Sequence, residues 1–229
     1  MLIASCIAFD VVASDKRDKG KHQRAVRNLP DIDSTPAGKL ELDQETNFFS
    51  TGGISNTSLD YGTANGWDIG LSLLNAQFFA VPSTTTWNFQ PDVLLNLEKH
   101  WDWWQGQLIV GSQGGVGYLP QGKRFVDVTY IDYQQTLSNL GMDFDFGWYY
   151  ANAFMAGMDS VGLHLNLEIP VYDGLRLNGD YLSGYNGLGG GTIKLLYPFG
   201  NDWQLGFGVQ MPNMYQGDHY IGMLGIYSR

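Results

Sequence analysis

The 229-residue chain can form one sizeable domain or two small ones, and only 16% of its residues are charged while 14% are aromatic. It has no run of about 18 apolar residues, which excludes a transmembrane helix, and its net charge of −10 argues against nucleic acid as a partner. Thirty glycines and only eight prolines, spread among short alternating segments, favour an all-β protein with many tight turns.

The N-terminal region divides into two segments. Residues 1–13, MLIASCIAFDVVA, indicate the apolar part of a secretory signal, although a basic start is missing and Asp10 interrupts it. Ile3–Cys6 also resembles a bacterial lipobox, in which Cys6 would carry lipid; coincidence is the alternative, because a lipobox follows a longer apolar segment. Residues 14–38 contain six of the 13 basic residues without apolar periodicity, which predicts a flexible leader.

From residue 39 to residue 229 the sequence alternates between apolar and polar side chains in short segments. Segments begin near residues 39, 54, 67, 92, 107, 124, 142, 161, 175, 190, 202 and 219. This pattern predicts about twelve strands, each near the 9–11 residues that a tilted strand needs to cross a bilayer. The connections alternate mildly between tight turns, such as Asn65-Gly66 and Asp173-Gly174, and more irregular loops. Such alternation is typical of transmembrane β-barrels.

The segment Val161–Ile169 shows the alternation most clearly, with five aliphatic residues between Gly162, His164, Asn166 and Glu168. Successive side chains of a strand point to opposite faces. In a membrane barrel the aliphatic face meets lipid and the polar face meets the lumen; in a soluble sandwich the polar face would meet water outside.

Matching aliphatic faces predicts the register of one hairpin, with Ile169 opposite Leu177 across a three-residue loop, 172–174. Glu168 then lies diagonal to Arg176 on the inward face, at about 7–8 Å between backbones. We expect Arg176 to have Glu168 as its single near partner, and Asp180 to be left for water or Lys194.

Aromatic residues cluster beside the tight turns. A belt at one set of strand ends is what a membrane interface selects, whereas a general preference of aromatics for strands would scatter them. The predicted interface residues are Trp67, Trp101, Trp103, Trp104, Tyr172, Tyr197 and Trp203, together with Tyr61 and Phe199.

The C-terminal segment Tyr220–Tyr227 resembles the terminal strand signal of bacterial outer-membrane β-barrels. Two features depart from that pattern: Gly225 stands where a bulky residue is usual, and Ser228-Arg229 follows the final aromatic. The resemblance is at the level of the class and names no subfamily. It implies a bacterial outer-membrane location, outer-membrane lipid as surroundings, and the barrel-assembly machinery as a partner of the last strand.

Alternation places an acidic set of side chains on the inward face. The predicted solute pathway consists of Asp143, Asp145, His164, Asn166, Glu168, Arg176, Asp180 and Lys194; further inward carboxylates are expected at Glu41, Asp43, Glu45, Asp68, Asp92, Glu98 and Asp127. Because buried charges must be paired or hydrated, this excess favours a passive channel for cations or small polar solutes. The alternative is that these side chains form ion pairs and hydrogen bonds that close the interior as a plug.

A structural barrel that binds a partner through its loops is a second alternative, and a lipid-modifying enzyme is a third. His164 could act as a base with Glu168 or Asn166, but the sequence offers no partnered serine, so no catalytic residue is assigned. The four histidines are scattered at 22, 100, 164 and 219, and no phosphate loop or cysteine pair occurs. The sequence therefore predicts no metal site and no cofactor.

Overall fold

The structure, a computed structural model, describes residues 35–80, 90–119, 122–200, 203–213 and 220–228. Its strands form one closed antiparallel barrel in which each strand pairs with its neighbours in sequence, and the last strand pairs with the first. The predicted all-β barrel of about twelve strands is confirmed. The proposed signal segment, nearly all of the leader and the polar loop predicted near residues 82–86 lie outside the described residues.

Twelve strands, β1 to β12, and one short helix, α1, make up the described chain. Their bounds in order are Leu40–Phe49, Gly52–Gly62, Trp67–Ala80, Asp92–Trp103, Gly106–Leu119, Gly122–Leu137, Met142–Ala151, the helix Ala153–Ala156, then Val161–Tyr172, Leu175–Leu182, Gly190–Phe199, Trp203–Pro212 and Ile221–Ser228. No helix within the described residues is long and apolar enough to cross a membrane.

The two ends of the barrel differ in their connections. At one end, here called the turn end, strands are joined by two to four residues, and β1 begins and β12 ends there. At the other end, here called the loop end, some connections are longer, and the longest are residues 81–91 and 152–160. The sequence did not predict α1 in the second of these loops. Its first turn is capped by Asn152, whose side chain accepts a hydrogen bond from the Met155 backbone N–H at 2.9 Å.

The β8–β9 hairpin has the predicted register but a different turn. Glu168 pairs with Asn178 and Ile169 with Leu177. The expected three-residue loop is wrong, because Tyr172 pairs with Leu175 and the register shifts by one residue just before it. Asp173 and Gly174 have φ values of 44° and 80°, so both residues of this two-residue turn are left-handed, as a type I′ turn requires.

The barrel closes between β1 and β12, which pair from Asp43–Tyr227 to Phe48–Gly222. Gly225 lies inward on β12, and a side chain at that position would overlap the Tyr227 ring. The ring therefore covers the glycine where a bulky residue was expected. An aromatic ring packed over a glycine in this way stabilises a curved sheet.

Outward side chains along the strands are mainly large, apolar and exposed. On β8 these are Val161, Leu163, Leu165 and Leu167, with 44–61% of each residue exposed. The inward neighbours Gly162 and His164 are buried. This distribution is the reverse of a soluble sandwich, whose apolar faces pack against each other, and it matches a barrel surrounded by lipid.

Candidate functional site: the barrel interior

The interior has two parts that differ in how deeply their charged side chains are buried. The inward faces of β3 to β6, here called the packed wall, carry charged residues that are buried: Asp68, Asp92, Glu98, His100 and Asp132, each at most 7% exposed. Two inward charged residues at the strand ends are exposed: Asp102 at the turn end of β4 and Arg124 at the loop end of β6. The inward faces of β7 to β12, β1 and β2 are here called the open wall. Most of the charged residues on this wall are partly exposed: Glu41, Asp43, Asp60, Asp143, Glu168, Arg176, Asp180 and Lys194.

Hydrogen bonds join side chains across several strands of the packed wall. Gln113 Nε2 donates to Asn96 Oδ1 at 2.9 Å, and Asn96 Nδ2 donates to Ser72 Oγ at 2.8 Å. Apolar inward side chains fill the space towards the loop end, where Leu74, Leu94, Val126 and Val128 are buried; Ile109 is buried nearer the turn end, opposite His100. This part of the interior is therefore a packed core, in which several polar side chains are hydrogen-bonded to each other.

On the open wall, Arg176 lies between two carboxylates. Its Nε forms an ion pair with Glu168 and its Nη2 with Asp143, while Nη2 also donates to the Gly141 carbonyl at 3.1 Å. The predicted Glu168–Arg176 pair is present. The expectation of a single partner is wrong, because Asp143 pairs directly with Glu168 across β7 and β8 and the long arginine reaches both.

His164 joins the two walls. Its Nδ1 lies 3.0 Å from Asp132 Oδ1 on β6, and its Nε2 lies 3.3 Å from Asp180 Oδ1 on β9. The expectation that Asp180 is left for water or Lys194 is therefore wrong. Both partners of His164 are carboxylates, whereas a serine mechanism places a hydroxyl on one side of the ring.

The remaining predicted pathway residues also face inward. Asp145 Oδ2 accepts from Asn166 Nδ2 at 2.7 Å, and Asn166 Oδ1 accepts from Asn178 at 2.8 Å, which forms a chain across β7, β8 and β9. The ammonium of Lys194 lies 5.2 Å from the centre of the Tyr227 ring. Asp145 is buried, whereas Asn166 and Lys194 are partly exposed.

One predicted inward carboxylate points the other way, and three inward carboxylates were missed: Asp60, Asp132 and Asp102, which lies on β4 and not in a turn. Asp127 faces outward on β6, where its Oδ1 accepts from Ser112 Oγ at 3.1 Å. Asp132 faces inward on the same strand, and Asp60 faces inward on β2, where it accepts from Asn96 Nδ2 at 3.0 Å. Asp132 lies five residues after Asp127, so alternation alone requires them to occupy opposite faces.

The predicted interface aromatics lie at the turn end. They are all exposed there: Trp67, Trp101, Trp103, Trp104, Tyr172, Tyr197 and Trp203, with Tyr61 and Phe199 beside them. Lys99 lies between two of them, with its ammonium 5.6 Å from the Trp67 ring and 5.5 Å from the Trp101 ring. This placement is compatible with a membrane boundary.

Solved structures supply the comparison at the level of fold. No family model matches the sequence, and no curated protein sequence matches it. The barrel is similar to the NanC porin, with a TM-score of 0.55 and 11% identity over 83% of this chain and 100% of that one. It is also similar to an outer-membrane channel from Pseudomonas putida F1, with a TM-score of 0.57 and 10% identity over 88% of this chain and 99% of that one.

The chain has the fold of an outer-membrane β-barrel. The predicted class is thereby confirmed at the level of the fold, and no subfamily is identified. Both similar structures are described as a porin or a channel. At 10–11% identity the likeness extends to the fold alone, so solute, selectivity and lumen chemistry depend on the side chains described above.

Proposed function

We propose that this protein is a passive channel of a bacterial outer membrane, through which cations or small uncharged polar solutes pass along the open wall. The observation that carries the proposal is the unequal exposure of the inward charges. Those of the packed wall are buried, apart from Asp102 and Arg124 at its two ends, whereas most of those of the open wall are partly exposed. A charged side chain retains exposure inside a barrel where space and water are present beside it.

The charge on the open wall favours cations. Its partly exposed inward residues are six carboxylates, Glu41, Asp43, Asp60, Asp143, Glu168 and Asp180, against two cations, Arg176 and Lys194. Arg176 is engaged by two of the carboxylates. A pore lined by an excess of one sign attracts counter-ions. The preference should be modest, because salt screens charges over about 10 Å at 0.1 M.

Planar-bilayer recording under a KCl gradient tests the proposal. We expect stepwise conductance and a reversal potential that indicates K⁺ preference, which declines as the salt concentration rises. As a matched pair, Asp43→Asn on the open wall should reduce the preference, while Gln107→Ala on the packed wall should leave it unchanged. Absence of conductance in a correctly folded barrel would instead support the plugged alternative, and anion preference would contradict the assigned lining.

Two partners belong to the same proposal. The exposed outward side chains, such as Leu163 and Leu165 on β8, would contact outer-membrane lipid. The strand β12 closes the barrel against β1, and its resemblance to the terminal signal supports recognition by the barrel-assembly machinery. Deletion of residues 221–229 should prevent membrane assembly in cells, which heat-modifiable migration on a gel would detect.

A further inference from the structure

Three metal-ligating side chains converge inside the packed wall near the turn end. Asp68 on β3 pairs directly with Glu98 on β4, and His100 follows two residues later on the same inward face. His100 Nε2 lies 3.1 Å from Asp68 Oδ2 and 3.3 Å from Glu98 Oε2. All three residues are more than nine-tenths buried, and their candidate ligand atoms lie within 4.8 Å of one another.

The histidine is aimed at this cluster without completing a hydrogen bond. Among the described residues, neither ring nitrogen of His100 has a hydrogen-bond partner, although two carboxylate oxygens lie close to Nε2. A single N–H can align with only one of two such oxygens. A cation placed between the three atoms would attract all of them at once.

We propose that Asp68, Glu98 and His100 form a binding site for a divalent transition-metal ion of the zinc type. Imidazole suits zinc, and carboxylate oxygens complete such sites at similar distances. With metal–ligand distances of about 2.0–2.2 Å, ligands around a tetrahedral ion are separated by about 3.3–3.6 Å. The nitrogen–oxygen separations of 3.1 and 3.3 Å are already close to that spacing. Three protein ligands leave a fourth position for water.

Neighbouring groups hold the two carboxylates in place. The Tyr130 hydroxyl donates to Glu98 Oε1, the oxygen that does not face His100. The Thr35 backbone N–H donates to Asp68 Oδ2 at 2.9 Å. Hydrogen bonds of this kind orient the carboxylates that bind a metal ion, and loss of one such bond commonly weakens metal affinity by about 10–100-fold.

The second interior histidine provides the control. His164 also lies between two carboxylates, but Asp132 is on its Nδ1 side and Asp180 on its Nε2 side. The two oxygens lie at opposite ring nitrogens, so they cannot meet at one ion bound to the imidazole. The geometry therefore assigns metal binding to His100 and not to His164.

The test uses the full chain, folded in detergent without an affinity tag, and isothermal titration with ZnCl₂. We expect saturable binding of a single ion by the wild type, its loss in His100→Asn and Asp68→Asn, and its retention in His164→Asn. Tyr130→Phe should bind about 10–100-fold more weakly. Heat-modifiable migration confirms that each variant is folded.

Binding that is unchanged in His100→Asn, or no saturable binding by the wild type, would overturn the site. If His100→Asn does not fold, Tyr130→Phe decides: weaker binding supports the site and unchanged binding contradicts it. The proposal does not depend on channel activity, because the titration measures binding alone. A barrel that conducts without binding zinc would refute the metal site and leave the channel function intact.

Discussion

Arg176 stabilises a part of the open wall where two carboxylates face each other. Asp143 and Glu168 are direct cross-strand partners, and like charges in that position are destabilising. The guanidinium contacts both. A planar, permanently charged group with several donors can satisfy two acceptors on neighbouring strands, whereas lysine presents a compact charge.

Replacing Arg176 with Met should destabilise the barrel by about 1.5–3 kcal/mol, the range for hydrogen bonds to charged groups, with the lower part expected because the pair is partly exposed. It should also raise cation preference, since two carboxylates lose their counter-charge. Urea unfolding and reversal potentials measure the two effects. Arg176→Lys is the control, and it should preserve selectivity better than stability.

A double-mutant cycle tests the Arg176–Glu168 contact directly. Glu168→Gln alone should lower cation preference, and its stability effect should depend on Arg176, with a coupling energy of about 0.5–3 kcal/mol. Coupling is expected because the residues form an ion pair on adjacent strands. If the two changes simply add, the residues do not interact and the register of this hairpin is incorrect.

At the scale of elements, the junction of β1 and β12 depends on Tyr227. Its ring covers Gly225 and Gly206 on the inward face, its hydroxyl lies 3.3 Å from Glu45 Oε2, and Lys194 lies over the ring. One side chain thus links β1, β10, β11 and β12. Because this junction closes the barrel, its packing should affect the stability of the whole molecule.

Two substitutions separate the contributions of Tyr227. Tyr227→Phe removes the hydrogen bond and should cost about 0.5–1.5 kcal/mol. Tyr227→Ala also uncovers the two glycines and should cost more, about 3–5 kcal/mol for loss of a packed aromatic ring. Urea unfolding followed by tryptophan fluorescence measures both, and equal losses would contradict the role of the ring.

The strand β8 allows a test of which strand face meets lipid and which meets the interior. Leu165 is outward and 49% exposed, so Leu165→Arg should cost about 2–4 kcal/mol near mid-bilayer. Cysteine placed at 165 should resist a water-soluble thiol reagent, whereas cysteine at 166, which is partly exposed towards the interior, should react. A Cys6→Ser background removes the native thiol. The opposite labelling pattern would show that the strand faces are inverted.

Alternation predicted β8 and its register because its two faces differ completely in polarity. The same method failed on β6, where Val126 and Val128 are buried inward and Asp127 lies outward. Near the loop end of a long strand, an outward carboxylate can lie beyond the apolar band of the barrel. There the polarity of a residue no longer identifies the inward face. The clusters around His100 and His164 depend on registers between strands that their own sequences do not specify.

At the scale of the whole molecule, the barrel keeps most of its buried charged residues on one wall and most of its partly exposed charged residues on the other. Hydrogen bonds between buried side chains link β3 to β6 across the packed wall. The open wall presents partly exposed charges around the remaining strands. With the proposed path along the open wall, a barrel of this size would combine a packed core with a channel, instead of being wholly filled or wholly open.

Neutralising one carboxylate on each wall should therefore have different consequences. Asp132 is 1% exposed and paired with His164, which keeps Asp180 as its second partner, so Asp132→Asn weakens one buried contact and should cost about 1–3 kcal/mol. Asp60→Asn, on the open wall, should change stability less and lower cation preference more. Urea unfolding and reversal potentials on the same two variants measure this division. If Asp132→Asn alters selectivity more than Asp60→Asn does, ions pass along the packed wall, and the assignment of the two walls is reversed.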